Sequence, residues 1–142
     1  MRRLPLLAPL ALALAGAGVL ATSAMVAPAT AAAPAVRFVP FTQKAFDAAR
    51  AAGKPVLVEV HAPWCPVCAR QQAGIAAAQG DARNKGLITF RIDFDTQKDV
   101  QRPLGVTSQS TLIAFKGRTE TGRVLGVTDP AAIARLIATT RT

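Results

Sequence analysis

Residues 56–71, VLVEVHAPWCPVCARQ, narrow what this chain can fold into more than any other stretch. An apolar, β-branched run of strand length follows Pro55 and reads as a buried strand. Four residues later a segment rich in Ala and Gln begins at Pro66 and runs without further proline to about Gln79. It reads as a helix in spite of Gly74. Both cysteines, the single tryptophan and the single histidine of the 142 residues fall within residues 61–71. Cores scatter such side chains along a chain, whereas reactive sites collect them.

The rest of the chain can be ordered around this junction. Residues 36–39 form a short strand. Thr42 caps a helix whose apolar face is Ala45, Phe46, Ala49 and Ala52, and Gly53 stops it. Residues 80–86 read as loop, 87–95 as the next strand, and 96–104 as a short helix interrupted by Pro103. Residues 111–115 and 122–127 pair as a hairpin about a turn at 116–119. Asp129-Pro130 caps the last helix, with Ala131, Ile133, Ala134, Leu136 and Ile137 on its apolar face. The order is β-α-β-α-β-α-β-β-α. Crossovers through helices imply parallel strands, the hairpin adds antiparallel ones, and helices cover both faces. The expected class is α/β: three layers with a central mixed sheet.

The first 33 residues do not belong to that pattern. Arg2 and Arg3 precede a largely apolar region over residues 4–20, and a run of small residues follows. This is the layout of a secretory signal peptide, with small-x-small cleavage sites ending at Ala24, Ala31 and Ala33 and cleavage expected at 31–33. An uncleaved membrane anchor is the alternative reading. The remaining residues, 34–142, make one small domain with 15 basic and 8 acidic side chains, net +7. These charges are spread singly and few aromatics accompany them, which argues against nucleic-acid binding. Export points to the bacterial periplasm.

The cysteine pair dictates the chemistry. Cys65 follows a buried strand and opens a helix, where free N–H groups and the helix dipole favour a thiolate, so Cys65 is the candidate nucleophile. Cys68, one turn on, can close a disulfide with it and is the candidate resolving thiol. Pro66 suits the first turn and stiffens it. A purely structural staple closing so short a loop contributes little entropy. Haem attachment requires CxxCH, and Ala69 stands in place of the histidine. Structural zinc needs four ligands, and His61 with the two cysteines supplies three. A soft metal such as Cu(I) accepts that set, which keeps a copper chaperone among the readings.

The segment VLVEVHAPWCPVC resembles the active-site stretch of the thioredoxin superfamily, and VTSQSTLIAFKGR resembles its strand entered by a cis-proline loop. The likeness runs from Val36 to the end and is nearest in flavour to exported thioredoxin-like proteins and the C-terminal domain of the DsbD reductase family. It implies a protein-disulfide oxidoreductase without an organic cofactor. Its catalytic residues would be Cys65, Cys68 and Glu59, the last as a buried acid exchanging protons with Cys68. Trp64, Pro66, Val67, Ser110 and Thr111 would form the substrate-binding surface, with Trp64 shielding the disulfide. Protein disulfides or dithiols would be the substrates, a membrane protein of the DsbD or CcdA type the electron donor, and the protein a monomer. Reduction or electron transfer to other thiol proteins is the leading expectation, and disulfide formation the alternative. Ser110 departs from the family, which places proline there. A cis bond before a non-proline residue costs about 3 kcal/mol, so the Gln109–Ser110 bond is expected to be trans, with the Ser110 hydroxyl near the sulfurs.

Overall fold

The computed structural model describes residues 35–142. The expected signal peptide, residues 1–33, lies outside the described residues. Five strands, β1 (Val39–Pro40), β2 (Pro55–His61), β3 (Ile88–Asp93), β4 (Thr111–Lys116) and β5 (Thr119–Leu125), make one sheet. Four helices accompany them: α1 (Gln43–Ala51), α2 (Pro66–Gly80), α3 (Lys98–Gln101) and α4 (Pro130–Ala138). The strand order is β1-β3-β2-β4-β5, with β1, β3 and β2 parallel and β4 and β5 antiparallel. This is the three-layer mixed sheet expected from the element order.

β2 sits at the centre of the sheet, and its alternation feeds two cores. Val58 and Val60 join Phe41, Phe46, Phe90, Ile92, Ile113 and Phe115 on the α1 face. Leu57 joins Ile75, Leu112, Ala114, Ile133, Leu136 and Ile137 on the face of α2 and α4. The two expected caps are formed: Thr42 Oγ1 accepts from the Ala45 N–H at 3.2 Å, and the Asp129 carboxylate accepts from Ala131 and Ala132. Gly74 lets α4 close on α2, since a Cβ there would lie 2.8 Å from Ile133 Cδ1 and 3.3 Å from Pro130 Cα.

Several boundaries differ from the sequence expectation, each for a local reason. β1 is two residues long and begins at Val39, because the chain before it is held by an amide. Gln79 accepts from the Arg37 N–H at 2.8 Å and donates to its carbonyl at 2.7 Å. β3 ends at Asp93, two residues early. The Asp93 carboxylate folds back onto the Asp95 and Thr96 N–H groups, an Asx-type turn that shortens α3 to four residues. β5 starts at Thr119 because Gly117, at φ 54°, turns the hairpin tightly. It stops before Gly126, at φ 68°. The loop after α2 contains one 3₁₀ turn, Ala82–Asn84, capped by Asp81. No helix among the described residues is long and apolar enough to cross a membrane.

Candidate active site

β2 and α2 place the two sulfurs at the end of the sheet. Cys65 occupies the N-cap of α2 with extended backbone, and its Sγ accepts from the Cys68 N–H at 3.0 Å. One of the unpaired donors of the first helical turn is thereby aimed at the sulfur, the arrangement that favours negative charge there. Pro66 takes the first helical position, where no N–H is needed. Cys65 and Cys68 form a disulfide with Cα atoms 5.3 Å apart. Cys65 is 4% exposed and Cys68 is fully buried, so Cys65 is the sulfur nearer to an approaching partner.

Ser110 lies directly against this pair. Its Oγ is 3.1 Å from Cys65 Sγ and 3.2 Å from Cys68 Sγ. The Gln109–Ser110 bond is trans, and Ser110 is the single non-glycine residue with positive φ, 62°, among the described residues. That left-handed conformation carries a steric cost of about 1–2 kcal/mol for a residue with a Cβ. Three hydrogen bonds hold it. The Ser110 N–H donates to the Val60 carbonyl at 2.9 Å, and its own carbonyl accepts from the Gly126 N–H at 3.0 Å and from Gln71 Nε2 at 3.1 Å. The backbone of this residue is therefore committed internally, and its hydroxyl is what faces the sulfurs.

Glu59 is fully buried although Val58 and Val60 point to the other face, because α2 and α4 cover its own side of the sheet. Its Oε2 accepts from Arg91 Nε at 2.7 Å, and its Oε1 lies 3.6 Å from His61 Nδ1. Burial pushes the Glu59 carboxyl up from its ordinary 4.5, and the hydrogen bond and charge of Arg91, then His61, pull against it. Glu59 Oε1, His61 Nδ1 and Arg91 Nη2 have no hydrogen-bond partner. Glu59 makes no hydrogen bond to Cys68, whose disulfide sulfur lies 3.9 Å from the Val60 carbonyl oxygen. Among the described residues no group of three or more His, Cys, Asp and Glu side chains is arranged to hold a metal ion.

Around the sulfurs, Trp64 is 59% exposed and anchored by its Nε1–H to Asp95 Oδ2 at 2.9 Å. It is a surface side chain, not a core one. Pro66 is exposed and Val67 half-buried beside the cysteines. Thr111 is buried, with its hydroxyl donating to the Ser108 carbonyl at 2.7 Å, so its side chain does not reach the surface. Three residues of this neighbourhood are not evident from sequence reasoning. Gln71 stands one turn after Cys68 on the inward side of α2, a spacing that could have flagged it. Arg91 is the register partner of Glu59 across β2 and β3, which only the strand pairing reveals. Asp95 reaches Trp64 through the turn set by Asp93.

Known proteins resemble this chain in sequence and fold. The family profile described as Thioredoxin matches residues 37–139. Thioredoxin-2 of Saccharomyces cerevisiae is 37% identical over 97 residues, 66% of this chain and 88% of that protein. The bifunctional thioredoxin reductase/thioredoxin of Mycobacterium leprae is 33% identical over 82 residues, 58% of this chain and 18% of that much longer protein. The crystal structure of Trxlp from Edwardsiella tarda EIB202 superposes with a TM-score of 0.68 at 38% identity, covering 71% of this chain and 98% of that one. With the CxxC pair joined at the strand-to-helix junction of this fold, the chain belongs to the thioredoxin family and is a thiol–disulfide oxidoreductase acting on protein disulfides.

Proposed function

We propose that the protein is an exported reductase or electron carrier of the bacterial periplasm, handing electrons from a membrane donor of the DsbD or CcdA type to other thiol proteins. The observation that carries the reductive direction is the content of the motif. Between the sulfurs stand Pro66 and Val67, which bring neither a cation nor a side-chain donor to a thiolate. Strong oxidants owe their potential to a stabilised reduced form. Here that stabilisation is limited to one backbone N–H and the neutral Ser110 hydroxyl. Likeness to thioredoxins and to reductive periplasmic domains, and the leader-like N-terminus, support the same reading.

In the cycle, the Cys65 thiolate attacks one sulfur of a substrate disulfide; that S–S bond breaks and the other substrate sulfur leaves as a thiolate. Cys68 then loses its proton and attacks Cys65 Sγ in the mixed disulfide, releasing the second substrate thiol and closing the Cys65–Cys68 disulfide. Two electrons pass to the substrate, whose two sulfurs leave as thiolates and take their protons from solvent. Glu59 takes up the Cys68 proton through an intervening water, the nearby Arg91 keeping its carboxyl able to ionise despite burial. The Ser110 hydroxyl donates to the Cys65 thiolate while it exists. Trp64, Pro66 and Val67 offer an apolar collar to the substrate, and the donor resets the dithiol by the reverse exchange.

Equilibration of residues 34–142 in glutathione and dithiothreitol buffers, followed by Trp64 fluorescence and thiol counting, tests the direction. A two-electron transition near about −270 mV supports the reductase, and one near about −120 mV replaces it with a disulfide-forming oxidase. Absence of any reversible transition, together with copurifying copper, would replace both with a copper chaperone, whereas insulin reduction that survives a strong copper chelator would exclude that reading.

A further inference from the structure

Gln71 plays no part in the thiol–disulfide exchange, yet its amide nitrogen makes two hydrogen bonds close to the sulfurs. It projects from α2, the helix that carries Cys68, and is fully buried. Its Nε2 donates to two backbone carbonyls, Ser110 at 3.1 Å and Val127 at 2.9 Å. Both acceptors are carbonyl oxygens, which fixes the orientation of the amide, and both of its N–H bonds are used. Oε1 is left buried with no partner. A side chain inserted only to fill space would be apolar. This one ties the loop entering β4 and the loop leaving β5 to the helix of the site, at the one non-glycine residue with positive φ among the described residues.

We propose that Gln71 is a positioning residue that sets the redox equilibrium of the Cys65–Cys68 pair by holding Ser110 in its left-handed conformation with the hydroxyl on both sulfurs. The inference rests on the reading of Ser110 given above. In the reduced protein the hydroxyl donates to the Cys65 thiolate, whereas in the disulfide it faces only weak sulfur acceptors. Holding it in place therefore favours the dithiol. When the clamp is lost, Ser110 relaxes toward negative φ, the hydroxyl leaves, and the equilibrium moves toward the disulfide.

The test is a double-mutant cycle of Gln71→Met and Ser110→Gly. Met keeps the length and bulk of Gln71 without its donors; Gly keeps the φ of residue 110 without the hydroxyl. The readouts are the equilibrium constant against glutathione and the pH dependence of thiolate absorbance in the reduced protein. Each single variant is expected to favour the disulfide about tenfold, a shift of about 30 mV to more negative potential, with Cys65 titrating at higher pH. The double variant is expected to move no further than either single one. Carbon-13 shifts of Ser110 in Gln71→Met should report loss of the left-handed conformation.

If Ser110→Gly shifts the equilibrium while Gln71→Met stays within about twofold of the parent, or if the two effects add, the role of Gln71 is refuted and that of Ser110 stands. If Ser110→Gly leaves the equilibrium unchanged, the hydroxyl reading fails and Gln71 falls with it. A melting temperature lowered without any redox shift marks Gln71 as structural only. Should Gln71→Met not fold, Gln71→Asn keeps the amide but withdraws it by one methylene, and carries the same test.

Discussion

Replacing Arg91 by Met tests how the buried acid of the site is held. The guanidinium donates to Glu59 at 2.7 Å and stacks over Phe38 with 3.5 Å to the ring centroid. Met keeps the apolar stem against Phe38 and removes the charge. Glu59, fully buried, then has only His61 Nδ1, at 3.6 Å, within ion-pair distance among the described residues. A carboxyl in that position binds a proton instead of remaining ionised. The sign follows from linkage: the native state holds a proton that the unfolded chain releases near 4.5, so stability falls as pH rises above that value. At about 1.4 kcal/mol per pH unit, a carboxyl kept wholly neutral would lose at most about 3 kcal/mol by pH 7. The parent already bears part of this loss, because burial has raised its own Glu59 carboxyl. The variant is therefore expected to be less stable than the parent at pH 7 by at most about 3 kcal/mol, with the difference shrinking below about 1 kcal/mol at pH 5. Urea unfolding followed by far-ultraviolet circular dichroism at pH 5, 6, 7 and 8 measures it. A difference that does not change with pH would show that Arg91 contributes packing alone and that Glu59 does not titrate in the folded protein.

Other perturbations give equally definite expectations. Gly74→Ala gains about 1 kcal/mol of helix propensity, but its methyl meets Ile133, fully buried and unable to swing aside, and the Pro130 backbone; overpacking of about 2 kcal/mol dominates, and thermal melting should show a net loss of about 1 kcal/mol. Trp64→Ala removes an exposed ring held by one surface hydrogen bond, so stability should change by less than about 0.5 kcal/mol while KM for a protein disulfide rises several-fold in a steady-state assay. Acid unfolding should begin below pH 4 with the slope opposite to that of Glu59. The Arg83 side chain, then its backbone N–H, holds the Asp81 carboxyl down at about 2, and Thr96 lowers Asp93 and Arg123 lowers Glu120. The stability these carboxylates add is present above their ordinary values and is lost as they protonate; melting temperature against pH between 2 and 5 checks it.

The parts of this molecule that could be read from its sequence are those written in local chemistry. Thr42, Asp129 and Pro66 mark helix starts through bonds made within three residues, and the β-branched run before the cysteines marks the central strand without reference to anything else. The cysteines declare themselves by spacing and by their place at a helix start. What could not be read depends on partners far along the chain. Residues 36–38 look like a strand, but Gln79, 42 residues beyond Arg37, takes the hydrogen bonds of the Arg37 N–H and carbonyl. Alternation along β2 puts Glu59 opposite the valines and does not by itself bury it; the family resemblance implies a buried acid, and the coverage of both sheet faces, with Arg91 in register across β3, explains why it is buried and still has a charged partner.

The loop at Ser110 shows how such distant partners shape the site. Proline in this position would fix φ near −65° and carry no N–H. Serine here instead adopts φ 62° and uses its N–H on Val60, so the loop is shaped by hydrogen bonds from β2, from the residue after β5 and from α2. The loop conformation is thus determined by contacts from three separate elements, and a hydroxyl stands against the sulfurs where a proline ring could offer no donor. Two residues far apart in sequence, a serine in the loop and a glutamine on the helix, become intelligible together: the first places a proton donor at the disulfide, and the second supplies a hydrogen bond to the left-handed backbone. Neither residue is informative by itself, which is why the motif could be recognised from the sequence while the tuning of its chemistry could not.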